Sequence, residues 1–516
     1  MGELTEAGLI FNSNASVNRR MRINSLTWVL WFLLVLGASG ILGLLMVSTS
    51  PNPALIGWLL YFTGMALILY QPRYGVYLII FLSLVGDKGL IYWYPFLLNF
   101  SSGESLFYLH PSLIFNPMEV YLMITILSWL VRVTVLRRLS FRKGELFWPV
   151  LIFMTFVVFG LVYGLGRGGN TNVGLWEARP IFYLPIMLIL TSNLITKQKH
   201  FFTLMWLVIS ALFIEGLIGS FCYFSVLRNG SRMVAATFME HSAAIHMNSF
   251  FVFVLALWLY KGPTKARLFI LPMGIPVLFT FLIIQRRAAL FALLLALIFI
   301  AFILYKENRT AFWTIVPSFA LVFTVYVFAF WNNAGISGFP ARAIKSQLVP
   351  QQSDIRDQYS DIYRIIENYD IYYTIRQAPL TGIGFGQMFT MIIPLPDISF
   401  FVWWRYIPHN SIGWIWMKTG AGGFIAMLFL VGLSIMTGVR ALFHMPSGMM
   451  SAILLTITLY VLMHFIFAYV DMAWDNQSMT YLGMIMGLIG CAESVMNQSN
   501  SPRSKGIPVS ASFQRI

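Results

Sequence analysis

With only two cysteines in 516 residues, the chain has no basis for a disulfide framework. Both, Cys222 and Cys491, fall in apolar stretches and read as buried thiols. Charge is scarce as well. Asp, Glu, Lys and Arg make up 10% of the residues, where a soluble domain carries about 25%. With 58% hydrophobic residues and a mean hydropathy of +0.76, no water-soluble fold could bury so much apolar chain, so lipid is its solvent. Acidic residues are the rarer sign, 19 against 34 basic ones. The net charge of +15 does not point to nucleic acid, because most cations sit in short runs between apolar spans. No cleavable leader is expected. The polar N-terminus runs into Arg19, Arg20 and Arg22, and the apolar stretch from Leu26 to Val47 is too long for a signal core. It is expected as an uncleaved first helix. No internal repeat stands out, and only the polar tail after Gln498 has the composition of a disordered segment.

A bilayer crossing needs about 20 mostly apolar residues. Candidate spans begin near Leu26, Pro53, Tyr74, Pro117, Leu146, Arg179, Phe201, Ser242, Leu268, Ala288, Ala311, Ser411, Met449 and Gln477. Asp87 and Lys88 interrupt the third. The pattern predicts an all-α, polytopic integral membrane protein with roughly 12–14 transmembrane helices. Every second connection is basic: the N-terminal arginines, Arg73, the run from Arg132 to Lys143, Lys197 with Lys199, Lys261 to Arg267, Lys306 with Arg309, Arg440, and the tail with Arg503 and Lys505. That alternation predicts both termini in the cytoplasm. The expected organisation is a cytoplasmic tail over 1–24, a helix bundle over 25–330, an extracytoplasmic catalytic loop over 331–410, C-terminal helices over 411–497 and a second tail over 498–516.

The long loop has internal pattern. Within 353–376, Ile355, Tyr359, Ile362, Ile366, Tyr369 and Tyr373 recur at three- and four-residue spacing. This predicts an amphipathic helix with charged residues on its other face. Pro379 stops it, and Gly382, Gly384 and Gly386 predict a tight, exposed turn. Phe400 to Trp404 is an aromatic run suited to a membrane interface. A structured loop of this size is usually functional.

Arginines on the outer side break the charge rule and need a reason. Arg286 and Arg287 lie between two apolar runs, where a hairpin normally uses neutral residues. Arg179, Arg228 and Arg232 fall on the same side. Snorkelling to lipid phosphates is the plain reading. Converging guanidinium groups are also what a pyrophosphate needs: planar, bidentate and permanently charged partners. His409 and Asn410 close the long loop. An imidazole titrates near neutrality and can accept a proton from a hydroxyl, though a loop histidine is more often an ordinary surface residue. His241 and His246 are spaced as metal ligands could be, but no acidic or cysteine ligands cluster with them, so no metal is expected. The Gly382–Gly386 run lacks the strand and lysine of a phosphate loop.

Four segments resemble the O-antigen ligase and O-antigen polymerase superfamily. The first is Ser231-Arg232-Met-Val-Ala-Ala-Thr237-Phe238, followed by His241 and Asn248, without the family's Pro-Asn. The second, Gln285-Arg286-Arg287-Ala-Ala-Leu, is similar to the family's Ser-Arg-Gly helix start. The third is Arg364 followed by Pro379-Leu-Thr-Gly382-Ile-Gly384-Phe-Gly386. The fourth is His409-Asn410 with Gly420 and Gly423 beyond it. The likeness covers roughly residues 179 to 490, and its last two segments are specific as a pair. One departure is Lys418, where the family often carries glutamate.

The resemblance implies a metal-independent, inverting membrane glycosyltransferase of the bacterial inner membrane, without cofactors. Its donor would be a glycan on undecaprenyl pyrophosphate, and its acceptor another glycan or lipid A-core. Arg232 with Arg286 or Arg287 would bind the diphosphate, with Arg179 and Arg364 as further candidate contacts. His409 would be the general base, and Asn410 would orient it or the sugar. Membrane lipids are expected partners and nucleic acid is not. Joining a finished glycan to its acceptor is the first reading, and polymerising repeat units is the second. A small-anion transporter is a third, which should show inverted repeats or paired broken helices; none stands out. A purely structural scaffold would leave Arg286 and Arg287 unexplained.

Overall fold

A computed structural model describes residues 37, 53–85, 107–110, 113–137, 139–227, 239, 242–352, 355–396 and 403–500. Two compact units divide the chain, Met1–Thr63 with Trp93–Phe96, and Gly64–Tyr92 with Leu97–Ile516. The smaller unit contributes the start of helix α1 (Pro53–Tyr70). The rest of the architecture belongs to the larger.

Apart from a short two-stranded ribbon, β1 (Phe107–His110) with β2 (Leu113–Phe115), the described regular structure is helical. It comprises α2 (Arg73–Val85), α3 (Pro117–Thr134), α4 (Phe147–Gly166), α5 (Thr171–Leu194), α6 (Gln198–Cys222), α7 (Ala243–Leu259), α8 (Thr264–Ile284), α9 (Arg287–Glu307) and α10 (Arg309–Ala329). Two helices follow in the long loop, α11 (Phe339–Leu348) and α12 (Ile355–Gln377). Three more close the chain, α13 (Ser411–His444), α14 (Met449–Val470) and α15 (Asn476–Asn500). Among the described residues, 10 helices are long and apolar enough to cross a bilayer, and three shorter apolar ones accompany them. The chain is therefore an all-α polytopic membrane protein. The expected span near Leu26, and Asp87 with Lys88, lie outside the described residues.

Helix ends follow local chemistry. Asn116 starts α3 with a reciprocal capping box, its side chain accepting the Glu119 N–H at 2.8 Å while Glu119 accepts the Asn116 N–H at 2.9 Å. Asn170 caps α5 by accepting the Val173 N–H. That cap starts α5 two turns before Arg179, so Arg179 sits inside the helix rather than at its head. Gln285 takes a left-handed conformation (φ 54°) between α8 and α9, which places the Arg286–Arg287 pair at a sharp hairpin.

Packing separates core helices from lipid-facing ones. Within its most apolar window α15 is 83% buried, whereas α10 is 6% buried. Glycine lets α15 approach α5 closely: a Cβ on Gly483 would lie 2.4 Å from the Leu184 carbonyl oxygen. α10 shows its apolar side chains outward, as a helix solvated by lipid does.

The basic connections gather at one end of the bundle. Arg440, late in α13, pairs with Glu145 ahead of α4 and with Glu493 near the end of α15. Arg73 meets His200 at the start of α6, and Arg132 donates to the Leu69 and Tyr70 carbonyls. The described part of the long loop, with Arg179, Arg286 and Arg287, lies at the other end, the loop end.

Candidate functional site

The predicted loop helix is present as α12, but its faces are used the opposite way round from the ordinary expectation for an amphipathic helix. The polar stripe Tyr363, Glu367, Asp370 and Thr374 is buried, while Ile355, Tyr359, Ile362 and Tyr369 are exposed. The polar stripe turns inward because it has work to do there. Asp370 Oδ1 accepts the N–H groups of Ile392 (2.9 Å) and Ile393 (3.2 Å), and Thr374 Oγ1 accepts that of Thr390 at 3.0 Å. Glu367 receives His409.

Glu367 and His409 form the centre of the site. The carboxylate is 2% exposed, and its Oε2 accepts the His409 backbone N–H at 3.0 Å. His409 Nδ1 lies 3.1 Å from Oε1 and 3.2 Å from Oε2. A carboxylate accepts only, so Nδ1 carries the proton and Nε2 the lone pair. Nε2 has no partner among the described residues, and the imidazole is partly open to solvent. The Tyr363 ring packs edge-on against it, with centroids 5.5 Å apart. Burial, and then the Glu367 charge, push the Tyr363 phenol up, so it stays protonated beside the pair.

Asn410 fixes the chain that carries His409. Its Oδ1 caps α13 by accepting the Gly413 N–H at 2.8 Å, and its Nδ2 donates to Asn368 Oδ1 at 2.8 Å. Tyr372 also bonds it. Ser411 Oγ continues the line, donating to the Asp471 carbonyl at 3.1 Å.

Three outer arginines, Arg179, Arg286 and Arg287, come to the same end, and carboxylates meet them. Arg287 forks onto Asp361, with bonds of 2.6 and 2.9 Å, and donates to Ser346 Oγ at 3.0 Å. It thereby straps α11 and α12 onto α9. Arg286 pairs with Asp471 at 3.4 Å, which links it through Ser411 to the His409 segment. Arg179 chelates Glu119 with two nitrogens and lies over the Trp176 ring, and Tyr183 donates to the same carboxylate. A guanidinium at the edge of hydrocarbon is costly alone, and each of these three is offset by a carboxylate. Arg364 differs. It stands one helical turn before Glu367, half-buried, with no ion-pair or hydrogen-bond partner among the described residues. Arg228, Arg232 and His241 lie outside the described residues. His246 is buried, with Nε2 3.3 Å from Ser478 Oγ.

The glycine turn is buried rather than exposed. Gly382, Gly384 and Gly386 all have positive φ, and the turn is threaded between α4 and α13. A Cβ on Gly384 would lie 2.3 Å from the Gly164 Cα. Two buried charges hold the turn. Glu177 of α5 accepts the Gly386 N–H at 2.6 Å, and Lys418 of α13 donates to the Gln387 carbonyl at 2.6 Å. They pair at 2.8 Å, both with side chains 0% exposed. Lys418 is thus neutralised by a carboxylate from another helix.

Reading the sequence missed Glu367 and Glu177. Glu367 had a signal, because it lies on the polar face of the predicted helix. Glu177 had none, being 209 positions from the glycine whose N–H it accepts. None of the known family models and none of the curated protein sequences matches the chain.

Proposed function

We propose that the loop-end site is that of a membrane-embedded glycosyltransferase, which moves a glycan from a polyprenyl diphosphate to an acceptor hydroxyl. The supporting observation is the Glu367–His409 pair, a buried carboxylate that orients an imidazole and leaves its Nε2 free to take a proton. In the proposed step Nε2 accepts the acceptor's hydroxyl proton as its oxygen attacks the anomeric carbon. The bond to the diphosphate breaks with inversion, and the leaving group departs with the electron pair. Arg364, on the same helix as Glu367, is the cation best placed to meet that charge. Glu367 is a positioning residue that stabilises the imidazolium formed in the step. The resemblance in the Arg364–Gly386 and His409–Gly423 segments supports the same reading.

The test is complementation of a deletion strain, with surface glycans resolved on a gel. His409→Ala should abolish transfer, a loss on the order of 10²–10⁴-fold, with the protein still in the membrane. Full activity of that variant would remove the base and the proposal with it. In the deletion strain itself, loss of all long chains from the lipid acceptor identifies ligation, and survival of single repeat units identifies polymerisation.

A further inference from the structure

The basic end holds a second feature that the loop-end chemistry does not use. Two adjoining cavities, of about 510 and 390 Å³, run along one flank of α6. The first is lined by Phe202, Trp206, Phe269 and Met449, with Lys265 and Ala266 at the start of α8. The second shares Phe202 and Trp206 and reaches Leu207 and Ser210. The lining stretch of α6, Phe202 to Ser210, rises about 12 Å, a little under half of a hydrocarbon core of about 30 Å. The two together make a slot with an aromatic wall, running inward from the helix starts.

Lys265 is in the lining of the first cavity, and further cations lie near it along the chain. Lys199 lies one turn before Phe202, and Lys261, Lys265 and Arg267 flank the start of α8. None of the four has a carboxylate partner among the described residues; Arg267 leans on the Trp258 ring and Thr264 instead. Pro263, which precedes α8, also lines the first cavity, and no side chain caps the first turn of that helix. An apolar slot that takes the upper part of an acyl chain, with an exposed lysine in its lining, matches the shape of an anionic phospholipid.

We propose that this slot binds a single anionic phospholipid, with an acyl chain along α6 from Phe202 to Ser210 and its phosphate at Lys265. A zwitterionic lipid fills the slot equally well but leaves the cations without net negative charge. Selectivity therefore comes from the mouth, and occupancy from the walls.

Native mass spectrometry tests this on the full-length protein in micelles doped with equal amounts of phosphatidylglycerol and phosphatidylcholine. One phosphatidylglycerol should be retained in preference. Lys265→Ala, at an exposed position, should lower that retention about fivefold and leave phosphatidylcholine unchanged. Ala266→Phe should fill the slot and remove both lipids. Equal retention of the two lipids by the unaltered protein would overturn the proposal. So would an equal loss from Lys306→Ala on α9, because the preference would then belong to the general surface charge.

Discussion

The two ends of the bundle use positive charge in opposite ways. At the loop end, four of the more buried cations meet carboxylates, Arg179 with Glu119, Arg286 with Asp471, Arg287 with Asp361 and Lys418 with Glu177, while Arg342 and Lys345 of α11 use carbonyl and amide oxygens. At the basic end several rest on aromatic rings or carbonyls. Lys143 lies over Trp148, Arg267 over Trp258, Arg309 over Tyr305, and Arg132 donates to backbone oxygens. Arg440 with Glu145 and Glu493 is the exception, and it is half-exposed. The contrast teaches that positive charge has two roles here. Unpaired cations suit an anionic lipid surface and orient the chain. Paired ones tie helix to helix, as Arg179 does, or hold the loop in place over the bundle, as Arg287 and Lys418 do. Against that background, Arg364 stands out as a loop-end cation still unpaired.

The comparison can be broken first at its most buried pair. Lys418→Met should destabilise the protein by about 3–5 kcal/mol, because Glu177 is left buried and uncompensated. Thermal unfolding in detergent measures this, and adding Glu177→Gln should recover most of the loss. A small effect from the single substitution would mean that the pair is hydrated and the contrast between the ends is weaker than drawn. Next comes Glu367→Gln, which keeps the shape of the side chain but loses the charge behind the imidazole. Glycan transfer should fall about 100-fold at unchanged protein level, with a shifted pH profile that a purely structural defect would not produce. Arg287→Ala should cost about 1–3 kcal/mol locally, read as faster protease cleavage within α11 and α12 rather than as lower global stability. The smallest effect should come from the basic end: Arg309→Ala should change stability by less than about 1 kcal/mol. A loss as large as that of Arg287→Ala would erase the distinction.

Much of the architecture was legible because lipid imposes its own length and charge rules. The starts of the described spans fall close to the apolar runs, and the alternation of basic connections appears as two chemically distinct ends. The amphipathic helix was legible as a helix but not as an oriented one. Periodicity gives a stripe, and by itself does not say whether the apolar or the polar side faces the protein. In α12 the polar side does, because Glu367, Asp370 and Thr374 have backbone and imidazole partners waiting. The arginines were legible as exceptions to a charge rule. Their carboxylate partners were not, since Arg287 and Asp361 lie 74 positions apart and Arg286 and Asp471 lie 185 apart. Lys418 was visible as a departure from a family pattern, and only the fold supplies Glu177 as its counter-charge.

The threading of Gly384 against Gly164 has a consequence for traffic at this end of the molecule. A hinged flap needs a free edge, and the 331–410 segment is riveted at its glycine turn, at Arg287–Asp361 and at Glu367–His409. It cannot lift away as one piece without tearing buried backbone out of the bundle. The His409 imidazole is already partly open with that segment in place, so access to it does not wait on a lifting flap, and the width of its opening is set by side chains rather than by the swing of a domain.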